Sequence, residues 1–156
     1  VRLILQRVSQ AHVDVAGERV AAVGPGFLVL AGFGPQDGPD SPDAPWWRAM
    51  LEKLVKLRVF PDEAGKMNVS LLDAGGEVLL VSQFTLYADC RKGLRPSFSQ
   101  AAPPAVAQAL FDKLCDDVQA LLPEGRAQRG VFGADMAVGL VNAGPVTIML
   151  DSRDFA

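Results

Sequence analysis

The stretch Val78-Leu79-Leu80-Val81-Ser82-Gln83-Phe84-Thr85-Leu86 decides the fold of this chain. Its first four residues are an unbroken apolar run, too short for a helix and rich in strand formers, which reads as a buried strand over Val78 to Phe84. Hydroxyl and amide groups then follow at once, so polar chemistry sits at the end of a buried strand. A second stretch, Asn142-Ala143-Gly144-Pro145-Val146-Thr147, links two apolar runs near the C-terminus. Glycine admits backbone angles closed to other residues and proline fixes its own, so this step presents a stiff backbone. Asn142 and Thr147 bracket it with groups able to hold its geometry, and Val146 follows the proline directly.

Working outward, the first third also reads as strands. Leu3-Ile4-Leu5, Val13-Asp14-Val15, Val20-Ala21-Ala22-Val23 and Phe27-Leu28-Val29-Leu30-Ala31 are separated by turn residues at Ala16-Gly17-Glu18 and Gly24-Pro25-Gly26. This spacing predicts an antiparallel meander. Residues 34–45 are a Gly-, Pro- and Asp-rich loop, with Asp43 placed to cap the next helix. Trp47, Met50, Leu51 and Leu54 fall at i, i+3, i+4 and i+7, one face of that helix. A short strand at Leu57-Arg58-Val59-Phe60 and a turn at Pro61–Lys66 follow. A second helix starts near Pro103-Pro104, since proline suits a first turn. Its stripe is Ala107, Leu110, Phe111, Leu114, Val118 and Leu121, and Pro123 and Gly125 end it. Asp112, Lys113, Asp116 and Asp117 form its solvated face. Two strands, about 135–142 and 145–151, complete the chain. The expectation is a single α+β domain over 1–156, with mostly antiparallel sheet, barrel-like or layered, and two main helices.

With 156 residues, 49% hydrophobic and 21% charged, the chain is long enough for a core and has the balance of a folded domain. No apolar run approaches the ~20 residues that span a bilayer. The first residues lack a long apolar segment or cleavage-like site, so no signal peptide and no membrane are expected, and a cytoplasmic location follows. Two cysteines and one histidine make no disulfide framework and no metal-ligand spacing, so neither a metal nor a cofactor is expected. A formal charge of −3 argues against coating nucleic acid, DNA above all, by bulk electrostatics. It leaves room for gripping a short single-stranded end through a local patch. Arg91, Lys92 and Arg95 are the densest basic cluster, which reads either as that patch or as a solvated loop.

The two motifs also read two ways. Gly144-Pro145 is a tight turn or a presented backbone. Ser82-Gln83-Phe84-Thr85 is the wet end of a strand or a site for acyl transfer, in which strand-end N–H groups bind an oxyanion and Gln83 adds a donor. Thr85 offers a hydroxyl without a histidine near it in sequence. His12, the one histidine, alternates with Val13 and Val15 and lies on the opposite face, and Cys90 and Cys115 read as ordinary thiols.

An ordered set of segments resembles the D-aminoacyl-tRNA deacylase family: Gln6-Arg7-Val8, Gly65-Lys66-Met67-Asn68, Ser82 to Leu86, Gly93-Leu94-Arg95-Pro96-Ser97-Phe98, Phe132-Gly133-Ala134-Asp135-Met136, and Asn142 to Thr147. They span nearly the whole chain. The chain departs at Ala143, where the family commonly has Asp. The resemblance implies a homodimeric hydrolase with its active site at the subunit interface. Its substrate is the ester joining a D-amino acid, or glycine, to the 3′ end of a tRNA. It implies a cis Gly144-Pro145 peptide that reaches into the partner's site as a chirality filter, supported by Asn142, Val146 and Thr147. Ser82, Gln83, Phe84 and Thr85 are then the catalytic residues. The nucleophile is Thr85 or, preferred because no base adjoins Thr85, water assisted by the adenosine 2′-hydroxyl. Arg7, Arg91, Lys92 and Arg95 are candidates for tRNA phosphates. Two other classes compete: a non-catalytic dimeric RNA- or protein-binding module, and a thiol esterase using Cys90 or Cys115 with His12.

Overall fold

The computed structural model describes residues 1–156. In chain order the elements are β1 (Arg2–Val15), β2 (Glu18–Val23), β3 (Gly26–Gly32), α1 (Pro45–Lys56), β4 (Arg58–Pro61), β5 (Met67–Ser70), β6 (Glu77–Ser82), α2 (Pro104–Ala120), β7 (Ala127–Arg129) and β8 (Met136–Asp151). Short 3-10 turns occupy Ser41–Asp43, Phe84–Tyr87 and Ser152–Asp154. This is the expected α+β arrangement with two helices. Neither is long and apolar enough to cross a membrane.

Strand β1 organises the sheet. Along one edge it pairs antiparallel with β8, from Arg2 opposite Asp151 to Val15 opposite Met136. Along the other edge, Arg2–Val8 pair with β3 and Ala11–Val15 pair with β2. β3 then pairs in parallel with β6, and β6 in parallel with β7. The six-stranded sheet curls almost into a barrel, and the amide of Gly24, just past β2, donates to Glu77 Oε2 at the head of β6 (2.6 Å). β4 and β5 form a separate hairpin.

Several local expectations change. Leu3–Leu5 and Val13–Val15 belong to one 14-residue strand, because no proline or glycine interrupts it. The meander is absent: β2 and β3 lie end to end on the same edge of β1 rather than side by side. Asp43 lies in a 3-10 turn and does not cap α1, whose N-cap is Ala44 with Pro45 next to it. The buried strand stops at Ser82, and Phe84 begins a 3-10 turn. The two tail strands are one 16-residue strand. β5 and β7 are four and three residues long, too short for a pattern to mark them as strands. Asp117 is not idle on its helix face, since its carboxylate accepts the indole N–H of Trp47 (2.9 Å).

Burial explains why β3 and β6 are apolar at consecutive positions. Phe27, Val29, Ala31, Val78 and Leu80 face the two helices, in a core with Trp47, Met50, Leu54, Leu110, Phe111 and Leu114. Leu28, Leu79 and Val81 point the other way, into a barrel interior shared with Val8, Ala11, Val13, Ala21 and Val23. Strands covered on both faces lose the polar alternation of one-sided sheets. Edge strand β8 buries only Leu150 and Asp151, and Val141 and Met149 are exposed. Asp151 is held below the usual carboxylate range by hydrogen bonds from Arg153 and Arg2.

The closest approach in the sheet is at Gly26, which pairs with Glu77. A Cβ there collides with the Glu77 carbonyl oxygen and lies 2.6 Å from its nitrogen. Gly26→Ala is therefore expected to lower the unfolding free energy by about 3 kcal/mol, at the upper end of overpacking costs, in a urea titration followed by circular dichroism.

Candidate functional site

At the C-terminal end of β6 the sheet opens into a cavity of about 670 Å³. Ser82, Gln83 and Phe84 form one wall, and the chain segments at Phe98, Phe132 to Ala134 and Pro103-Pro104 close it. Its lining is mainly apolar, with a few polar groups converging at the strand end, as expected of a small-molecule pocket. Three of the six segments singled out in the sequence therefore meet here. Phe98 and Phe132 carried no separate signal as site residues, because each is one aromatic among several. Phe84 and Phe98 pair edge to face, with centroids 5.0 Å apart and planes at 75°.

The chain turns sharply after Ser82. The Gln83 amide donates to the Ala31 carbonyl (2.7 Å), which keeps the strand end registered on β3. The amides of Phe84 and Thr85 open the 3-10 turn and donate to no backbone acceptor. Gln83 Nε2 donates to Thr85 Oγ1 (2.5 Å), and Thr85 has no hydrogen bond to a histidine or a carboxylate. A donor on its oxygen lowers the nucleophilicity of that hydroxyl, the opposite of what an activating base does.

Gly144 and Pro145 lie elsewhere, on β8. Gln6 faces Thr147 and Val8 faces Asn142, so Arg7 alone stands opposite the four residues 143–146, which bulge from the ladder. The Gly144-Pro145 peptide is cis, and Gly144 has φ +147°. Asn142 clamps the bulge from one side: its Oδ1 accepts from Val146 N (2.7 Å), and its Nδ2 donates to Val146 O (3.2 Å) and Thr147 Oγ1 (3.1 Å). Arg7 holds the other side, with Nε donating to the Ala143 carbonyl (2.7 Å) and Nη1 to the Val59 carbonyl of β4. Both Gly144 and Pro145 are exposed.

One chain does not bring the two motifs together. Ser82 registers with Ala31, Ala31 with Leu3, and Leu3 with Leu150, while the bulge sits opposite Arg7, four residues further along β1. Three strand spacings and four residues of rise put them roughly 20 Å apart on a flat sheet. Neither Gly144 nor Pro145 lines the cavity.

The family described as D-Tyr-tRNA(Tyr) deacylase matches residues 4–151. The chain belongs to the D-aminoacyl-tRNA deacylase family. It is 60% identical to the D-aminoacyl-tRNA deacylase of Solidesulfovibrio magneticus, over 98% of this chain and 96% of that one. It is 56% identical to that of Nitratidesulfovibrio vulgaris, over 98% and 94%. Among solved structures, a c-Myc DNA unwinding element binding protein superposes with a TM-score of 0.86 at 36% identity, over 97% of this chain and 98% of that one. A probable eukaryotic D-amino acid tRNA deacylase has the same fold, with a TM-score of 0.81 at 22% identity, over 96% and 97%.

The remaining features of the deacylase bear on the competing readings. His12 packs over Gly139 and has Asp14 as its ionic neighbour (3.8 Å), with no hydrogen bond to either cysteine. Cys115 is buried, and desolvation pushes its thiol up to about 12. Keeping that thiol protonated favours the fold at neutral pH, and the contribution is lost as pH rises from the ordinary thiol range through about 12. Cys90 is exposed. Of the basic candidates, Arg7 is bound to two carbonyls and Arg91 grips Asp89 with two nitrogens (2.9 and 2.6 Å), whereas Lys92 and Arg95 have no partner. No group of three or more His, Cys, Asp or Glu side chains is arranged to hold a metal ion. Iodoacetamide at pH 8 is expected to modify Cys90 alone in the folded deacylase and both thiols after unfolding, as read by intact mass, and ester hydrolysis is expected to survive the modification.

Proposed function

We propose that this deacylase hydrolyses the ester linking a D-amino acid, or glycine, to the terminal adenosine of tRNA, at sites shared between two copies of the chain. The observation that carries the reading is the division of the two motifs. The Ser82–Thr85 strand end has a cavity but no rigid backbone to sort chirality. The Gly144-Pro145 step is braced from both sides by Arg7 and Asn142, yet is exposed and does not line the cavity of its own chain. A second copy docked along the exposed face of β8 would supply each cavity with its partner's step. The exposed Val141 and Met149 on this edge strand suit such a contact.

In this reading the amides of Phe84 and Thr85, with Gln83, receive the negative charge that develops on the ester carbonyl oxygen. Losing one such donor typically costs about 10²–10³ in rate. Water attacks the carbonyl carbon while the adenosine 2′-hydroxyl accepts the water proton and passes its own to the 3′-oxygen. The bond to the 3′-oxygen then breaks, leaving the ribose as a neutral 2′,3′-diol and releasing the free amino acid. Thr85 orients Gln83 instead of attacking, which fits a hydroxyl without a base. The carbonyls of the Gly144-Pro145 step hold the α-amino group and leave room for hydrogen but not for an L side chain. A thousandfold rejection of L-substrates needs about 4 kcal/mol. A backbone that cannot swing aside is a suitable source of such exclusion. The similarity to a protein named for DNA unwinding element binding suggests a nucleic-acid module, but the formal charge of −3 gives duplex binding no support.

The deciding measurement charges one tRNA with D-tyrosine and, in parallel, with L-tyrosine, and follows ester loss. The D ester is expected to disappear at catalytic enzyme with the L ester spared. Loss of both at equal rates would remove the filter, and loss of neither would leave the binding module. Thr85→Ala is expected to keep turnover within about tenfold of wild type, since no nucleophile is lost; complete inactivation with normal binding would make Thr85 the nucleophile. Gly144→Val puts a Cβ 2.8 Å from Val146 Cγ2 at φ +147°, and is expected to lose activity. Mixing it with an inactive Gln83→Ala/Thr85→Ala chain tests sharing: mixed dimers regain up to a quarter of the sites, by simple statistics of random pairing (about 0.25), only if the motifs act across subunits.

A further inference from the structure

Fifteen lysines and arginines are distributed over this chain, and most of them are engaged. Nine form ion pairs with carboxylates. Arg7 and Arg58 are bound to backbone carbonyls. Only Lys53, Lys66, Lys92 and Arg95 are left without a partner, and two of these four lie three positions apart. In a chain of net charge −3, that concentration of uncompensated positive charge stands out from the rest of the surface.

The segment that carries it is built, not slack. Asp89 and Ser97 exchange backbone hydrogen bonds in both directions (2.8 and 2.9 Å), which closes residues 90–96 into a hairpin. Arg91 locks the neck, donating from its backbone N (3.0 Å), Nε and Nη2 to the Asp89 carboxylate. That pairing keeps Asp89 ionised well below the usual carboxylate range. Gly93, at φ +66°, makes the reversal. Leu94 stands at the tip, fully exposed, between the free ammonium of Lys92 and the free guanidinium of Arg95. At the base, Phe98 leans on Phe84 at the mouth of the cavity. Thus one hairpin runs from two free cations and an apolar tip down to exposed aromatic rings beside the candidate reaction site.

We infer that the hairpin closed by Asp89 and Ser97 is an RNA-gripping arm, in which Lys92 and Arg95 bind phosphates of the strand leading to the cavity and Leu94 rests on a sugar or base face. The inference rests on the deacylase reading for the identity of the RNA, and concerns a surface outside the cavity. Phosphate contacts fix the position of a strand without reading its sequence, which suits an enzyme that meets many tRNAs. Preorganisation by the Asp89–Arg91 lock reduces the ordering cost of binding. Two phosphate contacts are a modest grip, so the affinity they add is strongly salt-dependent.

The test is equilibrium binding of uncharged tRNA to the full chain at several salt concentrations, which needs no turnover. Lys92→Glu/Arg95→Glu is expected to weaken binding at least tenfold and to reduce the slope of log affinity against log salt by about 2, one for each cation. Leu94→Ser is expected to weaken it about threefold with the slope unchanged, since it removes no charge. Lys53→Glu, an equally unpaired cation on α1, controls for bulk charge and is expected to change affinity less than twofold. Equal losses in the control and the hairpin variants would overturn the arm, as would a double variant that binds like wild type. A change of oligomeric state with Leu94→Ser in sedimentation would also overturn it, by making the tip a protein contact. A protein that binds tRNA through the hairpin but hydrolyses neither tyrosyl ester would keep the arm and lose the deacylase reading.

Discussion

Everything in this fold depends on β1 having partners along both edges for most of its length. On one side it carries β8, and on the other it carries β3 and β2 in succession. This places the strand end of β6 and the bulge of β8 on opposite flanks of the same strand, at fixed register. A slip of one residue in β1 would turn every buried side chain to the wrong face. Leu3 and Leu5 under the helices, and Val8, Ala11 and Val13 inside the barrel, oppose that slip from both sides of the sheet.

Leu5 and Val8, three residues apart, point to opposite faces by plain alternation, and the alternation breaks between Val8 and Ala11, which both enter the barrel, where the register with β8 shifts again. Arg7 stands opposite the bulge, and its guanidinium ties three elements together: β1 through its own backbone, β8 through Ala143 and β4 through Val59. The arginine binds a backbone carbonyl at position 143, so the contact does not depend on which side chain stands there. The alanine at this position therefore leaves the contact intact. Asn142 fits its place for a different reason. Only a short amide offers one acceptor and one donor at the spacing needed to bond both the N–H and the C=O of Val146.

Charge is managed with similar economy. Most basic side chains are spent holding the structure: Arg2 and Arg153 on buried Asp151, Arg126 on Glu77, and Arg129 on α2. Exposed pairs of this kind contribute little stability singly. Their larger effect is to cancel the surface potential over most of the molecule, so the few cations that remain free act locally. A weakly acidic protein can in this way present a small positive surface to an anionic strand without attracting nucleic acid everywhere.

The sequence alone determined the elements that rest on local chemistry. The apolar stripes of α1 and α2, the proline starts, the buried run before Ser82 and the stiff Gly144-Pro145 step were all legible, because helix periodicity and backbone restriction are written in neighbouring residues. The cavity was half legible: Ser82 to Phe84 stood out at a strand end, whereas Phe98 and Phe132 came to line it only when distant loops closed over it. The meander was misread because Gly24-Pro25-Gly26 reads as a reversal, whereas the chain runs straight on there from β2 into β3 along the same edge of β1. Likewise Arg7 and Arg91 resembled free cations in the sequence, and the fold assigned them to a carbonyl 136 residues away and a carboxylate two residues away. Strand order, the partners of charged groups and the separation of the two motifs were decided by tertiary structure, because burial and pairing are relations between segments far apart in the chain, and no local pattern encodes them.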